Sequence, residues 1–176
     1  VLPPKIASIQ AIITTIFAND TNRAEINSKA EEIRSTLQKA GVLAKTDVRD
    51  LRPGEKYFEW EQKGVPVRIE LGPKDMEAGQ VVLVRRDTGV KETVKIDEVV
   101  DKVSLLLSQI QSGLFETALA RQKKKKKTVD GWDDFVTAIE EGYFVLAHWS
   151  GDADVEASIK EETGATIRCI PFSSVD

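Results

Sequence analysis

The chain has one cysteine, Cys169, and one histidine, His148. A lone thiol excludes an internal disulfide, and one thiol with one imidazole makes a poor metal set. Reducing, intracellular surroundings fit this usage best. No apolar run approaches the roughly 20 residues of a membrane span. No basic-then-apolar leader opens the chain, so no membrane partner is expected. A Walker-type loop and a G-x-G-x-x-G turn are both missing, which removes the usual nucleotide cradles. Net positive charge is missing too: the formal charge is −4 over 176 residues. Any contact with nucleic acid must therefore come from local basic residues and specific readout, not a global field. There is no initiator Met; the chain opens V-L-P-P and is expected to be a piece of something longer.

The few groups that could do chemistry are poorly placed for it. Cys169 lies inside a strand-like T-I-R-C-I-P-F run, the setting of a buried, inert thiol. His148 stands beside Trp149 with no nucleophile and orienting group near it in sequence, so a core or edge histidine is expected. Asp152, Asp154 and Glu156 could suggest a cation site, but acids also favour helix starts, and a solvated helix start is the expected reading. No catalytic and no metal-binding residue is assigned.

What the chain does have is enough apolar content for a core, 41%, beside 31% charged residues. Ile9–Phe17 reads as a strand buried on both faces, which favours a largely parallel sheet. Asn22-x-x-Glu25 resembles a capping box. Ile26, Ala30, Ile33, Leu37 and Ala40 follow at helical spacing, and Gly41 sits where a helix ends. The spacing predicts a helix over 23–40, a strand over 42–48, and hence a βαβ unit. A short helix over 55–63, ended by Gly64, precedes strands over 65–71 and 80–86, with a Gly-Pro loop at 72–75 between them. The last strand turns at Asp87-Thr88-Gly89 into another over 91–95. A long amphipathic helix is expected over 97–119. Five lysines, Lys123–Lys127, then suggest a linker over 123–130. It separates a first domain, 1–122, from a small α/β domain, 131–176. Helices are expected there over 132–140 and 155–161, with strands over 143–148 and 165–170. Phe135, Ile139, Phe144, Leu146, Ile159 and Ile167 would form its core.

The chemically dense part is Arg52–Arg86, where aromatics, carboxylates and cations mix with four glycines. Tyr57 and Phe58 can stack on unpaired bases, the common way of holding splayed single-stranded RNA. Tyr57 and Glu61 are four apart and share one face of a short helix. A glutamate can accept N1–H and N2–H2 from guanine, while lysine and arginine donate to O6 and N7. Lys74-Asp75 supplies the same donor–acceptor pair just past a strand, and Arg68 lies with Glu70 on the polar face of that strand. A surface of mutually paired charges reads the same way in sequence. The lysine run, Lys123, Lys124, Lys125, Lys126 and Lys127, could touch RNA backbone or be a solvated helix end.

The segment P-G-E-K-Y-F-E-W-E-Q-K-G-V-P-V-R-I-E-L-G-P-K-D-M-E-A-G, followed by V-R-R-D-T-G, closely resembles the anticodon-binding domain of prolyl-tRNA synthetases. It looks like the eukaryote- and archaeal-like branch, which also occurs in some bacteria. W-E-x-K-G-V-P-x-R-x-E-x-G-P-x-D is the specific part. G-x-x-x-x-A-H-W-S-G-D and E-E-T-G-A-T-I-R-C-I-P-F resemble the small C-terminal domain of the same branch. The resemblance implies a five-stranded mixed sheet flanked by helices, of the class II synthetase anticodon-binding type, followed by a small α/β domain. It implies proline tRNA as partner, with two invariant anticodon guanines contacted by Tyr57, Glu61, Arg68, Lys74 and Asp75. A cytoplasmic, homodimeric parent enzyme, a proline–tRNA ligase, follows from it as well.

Two departures shape the expectation. This branch often holds zinc through four cysteines, but Ser150 and Val155 stand at two of the matching positions, Cys169 is not at a ligand position, and a second pair would lie beyond Asp176. No zinc is expected. The catalytic domain that would bind ATP and proline is not in this chain, which should therefore be inert alone. Two alternatives stay open: a repurposed anticodon-type binding or dimerisation module, and the equivalent domain of a glycyl-, threonyl- or histidyl-tRNA synthetase.

Overall fold

The computed structural model describes residues 1–17 and 22–172, and the chain divides into two compact units, Val1–Glu116 and Thr117–Asp176. The first unit is built on β1 (Ala11–Thr15), every residue of which is buried. A strand with no polar face needs cover on both sides and neighbours on both edges. β1 has them: β2 (Ala44–Asp47) and β3 (Val67–Leu71) pair with it in parallel on either side. β4 (Gln80–Arg85) and β5 (Lys91–Lys95) extend the sheet antiparallel, giving the order β2-β1-β3-β4-β5. This is the mixed five-stranded sheet expected from the sequence.

Helix α1 (Arg23–Lys39) links β1 to β2, and α2 (Pro53–Gln62) links β2 back across β1 to β3. The two crossovers run in opposite directions along the sheet, so right-handed connections place the two helices on opposite faces. The packing agrees. Ile26, Ala30, Ile33 and Leu37 of α1 join Val99, Val103, Leu106, Leu107 and Ile110 of α4 (Val99–Lys124) in the main core. That core takes Ala11, Ile13, Val67, Ile69, Val81 and Leu83 from the sheet. On the other face α2 contributes Trp60 to a small cluster with Ile12 and Val65. One face of the sheet is thus covered by two long helices and the other by one short one. The strands beyond β1 are left with polar residues on that second face: the register sets Ile12, Arg68, Val84 and Lys91 in one row and Thr14, Glu70, Val82 and Thr93 in the next.

Several local expectations are corrected. Asn22 precedes α1, but its side chain accepts no capping hydrogen bond. Most of the loop expected over 72–75 belongs to a short helix α3 (Pro73–Glu77), because Asp75 Oδ2 accepts from the Gly72 N–H at 3.0 Å and Pro73 is suited to a first turn. Gly64 ends α2 region with φ of +73° and faces Leu2, whose Cγ would stand 2.8 Å from any added Cβ. Leu2 N also donates to Gly64 O at 2.8 Å. Only glycine satisfies both the left-handed backbone and that close approach.

The second unit contains a smaller βαβ unit. β6 (Lys126–Thr128) pairs in parallel with β7 (Phe144–Leu146), α5 (Trp132–Glu140) connects them, and α6 (Ala153–Thr163) follows. The lysine run expected within a linker carries regular structure: Lys123 and Lys124 end α4, and Lys126 and Lys127 belong to β6. The helical period of α4 outlasts its apolar stripe, and solvated lysines tolerate both structures. Asp152 caps α6 by accepting from Asp154 N at 2.8 Å, as the helix-start reading required. The predicted strand over 165–170 is absent; that segment is irregular. Of the expected small core, Phe135, Ile139, Leu146 and Ile159 are half-buried, whereas Phe144 and Ile167 are exposed. Cys169 is exposed and lies in that irregular segment, against the expectation of a buried strand thiol. The last four residues of the expected domain lie outside the described ones. No helix among the described residues is long and apolar enough to cross a membrane.

Candidate nucleic-acid interface

Helix α2 starts where Pro53 sets the first-turn backbone and exposes Arg52-Pro53-Gly54 before the apolar side is buried. Its inward side carries Lys56 and Trp60, and its outward side carries Tyr57 and Glu61. A period of 3.6 residues makes this division unavoidable once Trp60 is packed on Ile12.

The inward side is fixed by a polar network. Asp47, at the end of β2, is buried and accepts from Trp60 Nε1 at 2.6 Å and from Arg49 Nε and Nη2 at 2.8 and 2.7 Å. Burial alone would raise the Asp47 carboxyl, but the hydrogen bonds from Arg49 and Trp60 overcome it and hold the group down at about 2. Lys56 Nζ donates to the carbonyls of Thr15 and Asp47 at 2.9 and 3.2 Å. Burial pushes Lys56 below the usual lysine range. α1 and α2 leave adjacent strands on opposite faces, so the carboxyl ends of β1 and β2 form the switch-point crevice where open α/β sheets gather ligands. Here the Lys56 ammonium occupies it.

The outward side carries a second polar network. The Arg68 guanidinium lies 3.8 Å from the centre of the Tyr57 ring. The same guanidinium donates from Nη1 to Glu61 Oε1 and from Nε to Glu70 Oε1, both at 3.0 Å. Lys91 Nζ approaches both Glu70 oxygens at 3.5 Å, and Arg86 Nε lies 3.9 Å from Glu61 Oε2. The result is an alternating row, Arg86–Glu61–Arg68–Glu70–Lys91, across α2 and the open sheet face. Tyr57 is half-buried, and burial first and the Glu70 carboxylate second push its hydroxyl up to about 12, so it stays neutral at working pH.

Four of the five sequence-predicted site residues share this environment. Tyr57, Glu61 and Arg68 touch, and Asp75 adds its charge to the field felt by Tyr57. Asp75 also caps α3, so it serves the backbone as well as any ligand. Lys74 is exposed beside it on α3. Phe58 is exposed by 64% and points away from the Trp60 side. Sequence reading gave Glu70 no role and missed Arg86 and Lys91. The R-I-E spacing of Arg68 and Glu70 was the available signal, since residues two apart share a strand face. In the second unit, Lys125 and Lys127 lie 4.9 and 5.3 Å from the Tyr143 ring centre, and the lysine run is exposed throughout. His148 is exposed, with Nε2 3.3 Å from Asp130 Oδ1.

Cationic forks, paired carboxylates and an aromatic face on an open sheet provide donors and acceptors in register, with no nucleophile or base–orienter set among them. Such a surface recognises hydrogen-bonding edges and stacked rings. The comparisons with known proteins point the same way. Residues 10–106 match the anticodon binding domain family, and residues 132–176 match the C-terminal region of prolyl-tRNA synthetase. The chain is 44% identical over 174 residues to a proline–tRNA ligase of Porphyromonas gingivalis, covering 98% of this chain and 35% of the relative. It is 47% identical over 175 residues to one of Chloroherpeton thalassium, covering 98% and 36%. It is 47% identical over 174 residues to one of Oceanobacillus iheyensis, covering 98% and 35%. These relatives are bacterial, which corrects the expectation of a eukaryote- and archaeal-like branch. The chain spans about a third of the length of the relatives it matches. It belongs to the anticodon binding domain family and corresponds to the C-terminal part of a prolyl-tRNA synthetase.

Proposed function

We propose that the outward side of α2, with Arg68 on β3 and Lys74 and Asp75 on α3, reads the guanines of a proline tRNA anticodon. The observation that carries this reading is the contact of Tyr57, Glu61 and Arg68: a ring, a carboxylate and a guanidinium held together on an open face. Glu61 accepts from the Watson–Crick edge of one guanine, Arg68 orients that carboxylate, and Lys74 with Asp75 offers a second donor–acceptor pair. In the ligand-free protein Arg68 occupies Glu61 Oε1, so the base competes for a carboxylate already aligned. In a parent proline–tRNA ligase, binding energy realised here would orient the distant acceptor end. Zinc has no part in this reading, since serine and valine stand at 150 and 155.

The test is titration of a proline anticodon stem-loop and a loop with both guanines replaced. Glu61→Ala should weaken binding of the guanine loop by about 1–3 kcal/mol and leave the replaced loop unaffected. Equal loss on both loops would sink the assignment of Glu61 as a base reader. Asp75→Ala should lose a similar amount, with a contribution from the lost α3 cap.

A further inference from the structure

A cavity of about 230 Å³ opens between α2 and the β4–β5 hairpin, sharing Glu61 and Arg68 with the proposed base-reading residues and extending past them to Arg86 and Lys91. Ile12, Val65 and Val84 form its apolar floor, and Trp60 closes one wall. Its rim carries Arg68, Arg86 and Lys91, with Glu61 among them. Gly89, in the turn of the hairpin with φ of +73°, also lines this space.

The three cations are not equivalent. Arg68 is only 12% exposed and makes two close hydrogen bonds to carboxylates on either side. It is a fixed strut. Arg86 and Lys91 are 42% and 57% exposed, and their carboxylate neighbours stand at 3.9 and 3.5 Å. Glu70 is itself largely buried and held by Arg68 at 3.0 Å, so the exposed Lys91, like the exposed Arg86, is the loosely held member of its pair. A stronger anion can take both cations while Arg68 goes on holding Glu61 and Glu70 in place. An apolar floor under a partly neutralised cationic rim fits a single nucleotide, with its sugar or base face below and its phosphodiester above.

Building on the proposed anticodon reading, we propose that this cavity is a backbone subsite for the nucleotide adjoining the guanine pair. Arg86 and Lys91 grip its phosphate, and the floor takes its apolar surface. The subsite is indifferent to sequence: it sets the register of the strand so that the guanines meet Glu61 and Asp75. Arg85, which also lines the cavity, is held by Asp87 and Gln109 and takes no part.

The experiment measures binding of the 176-residue chain to the guanine loop and the replaced loop across a series of salt concentrations. Arg86→Gln and Lys91→Gln should each weaken both loops by the same factor and reduce the slope of log K against log salt by about 0.7. Arg86→Lys should keep the slope, which separates lost charge from lost folding. A guanine loop that still binds, with slopes unchanged in both glutamine variants, would overturn the subsite while leaving the reading by Glu61 intact. Loss of discrimination between the loops in those variants would overturn it too, by making the rim a base reader. Wild-type chain that binds both loops alike would remove the guanine reading, yet an altered slope would still locate the phosphate contact. No binding of either loop by the wild-type chain would remove both.

Discussion

The two sides of α2 carry polar networks of similar composition and opposite design. Inward, Asp47, Trp60 and Lys56 are buried: the Asp47 carboxylate accepts from Trp60 and from the exposed Arg49, and Lys56 donates to backbone carbonyls, all within 3.2 Å. Outward, Arg86, Glu61, Arg68, Glu70 and Lys91 form a row that tightens at its centre and loosens at its ends. A buried charge stripped of its partner has nowhere to go for solvation, so the inward set is brittle and resists exchange. A charge at the loose end of an exposed row trades one partner for another at little cost. The difference teaches that charge density alone does not mark a recognition surface. What marks it is the presence of cations that can be released beside a carboxylate that is held still.

The comparison breaks most severely at Asp47. Asp47→Ala leaves the buried Trp60 indole N–H without its acceptor, while the exposed Arg49 keeps Glu59. The expected loss of unfolding free energy is about 1–3 kcal/mol, the cost of a buried donor left unsatisfied, measured by denaturant titration. A loss no greater than that of an exposed pair would show the inward network to be as replaceable as the outward one.

Acid should probe the same network without mutation. The Asp47 carboxyl is depressed to about 2 from an ordinary value of 3.8. A depressed carboxyl contributes stability above its unfolded value, and that contribution falls away as pH drops from near 4 through about 2. The difference of nearly two pKa values corresponds to about 2 kcal/mol. Denaturant midpoints of the wild type should therefore fall over this window. Asp47→Asn should flatten the decline. An unchanged acid dependence in that variant would assign the window to other carboxylates.

How much of this could be seen in the sequence differs between the two sides, and for a physical reason. The contact of Tyr57, Glu61 and Arg68 was legible because positions four apart share a helix face and Arg68 lies on the polar face of the strand that follows. Tyr57, Glu61 and Arg68 meet those spacings within one short segment. The sheet was legible from the unbroken apolar run around Ile12, and α1 from its period. The inward network was not. A lysine at 56 in the middle of a charged segment reads as solvated, and only the parallel pairing of β1 and β2 brings the carbonyls of Thr15 and Asp47 together to hold it. Arg86 and Lys91 were missed for a similar reason, since pairing between β3, β4 and β5 places them beside Glu61 and Glu70. In the second unit, the apolar spelling of T-I-R-C-I-P-F suggested a strand, but β6 and β7 pair only with each other among the described residues. Local pattern predicts a strand; a partner edge is needed to make one.

The smallest expected effect sharpens the comparison most. Glu61→Gln keeps the shape of the side chain and removes its charge. Its partner Arg68 retains Glu70, and Arg86 is exposed enough for water to replace a neighbour at 3.9 Å. Stability should therefore change by no more than about 1 kcal/mol, the range of exposed pairs. Binding should respond differently, because the amide presents one acceptor and one donor where guanine offers two donors. The guanine loop should lose affinity while the replaced loop does not, and the denaturant midpoint should barely move. If Glu61→Gln instead destabilised the fold as Asp47→Ala is expected to, the outward row would be a second structural lock. Its charges would then be bound to one another too firmly to serve a ligand.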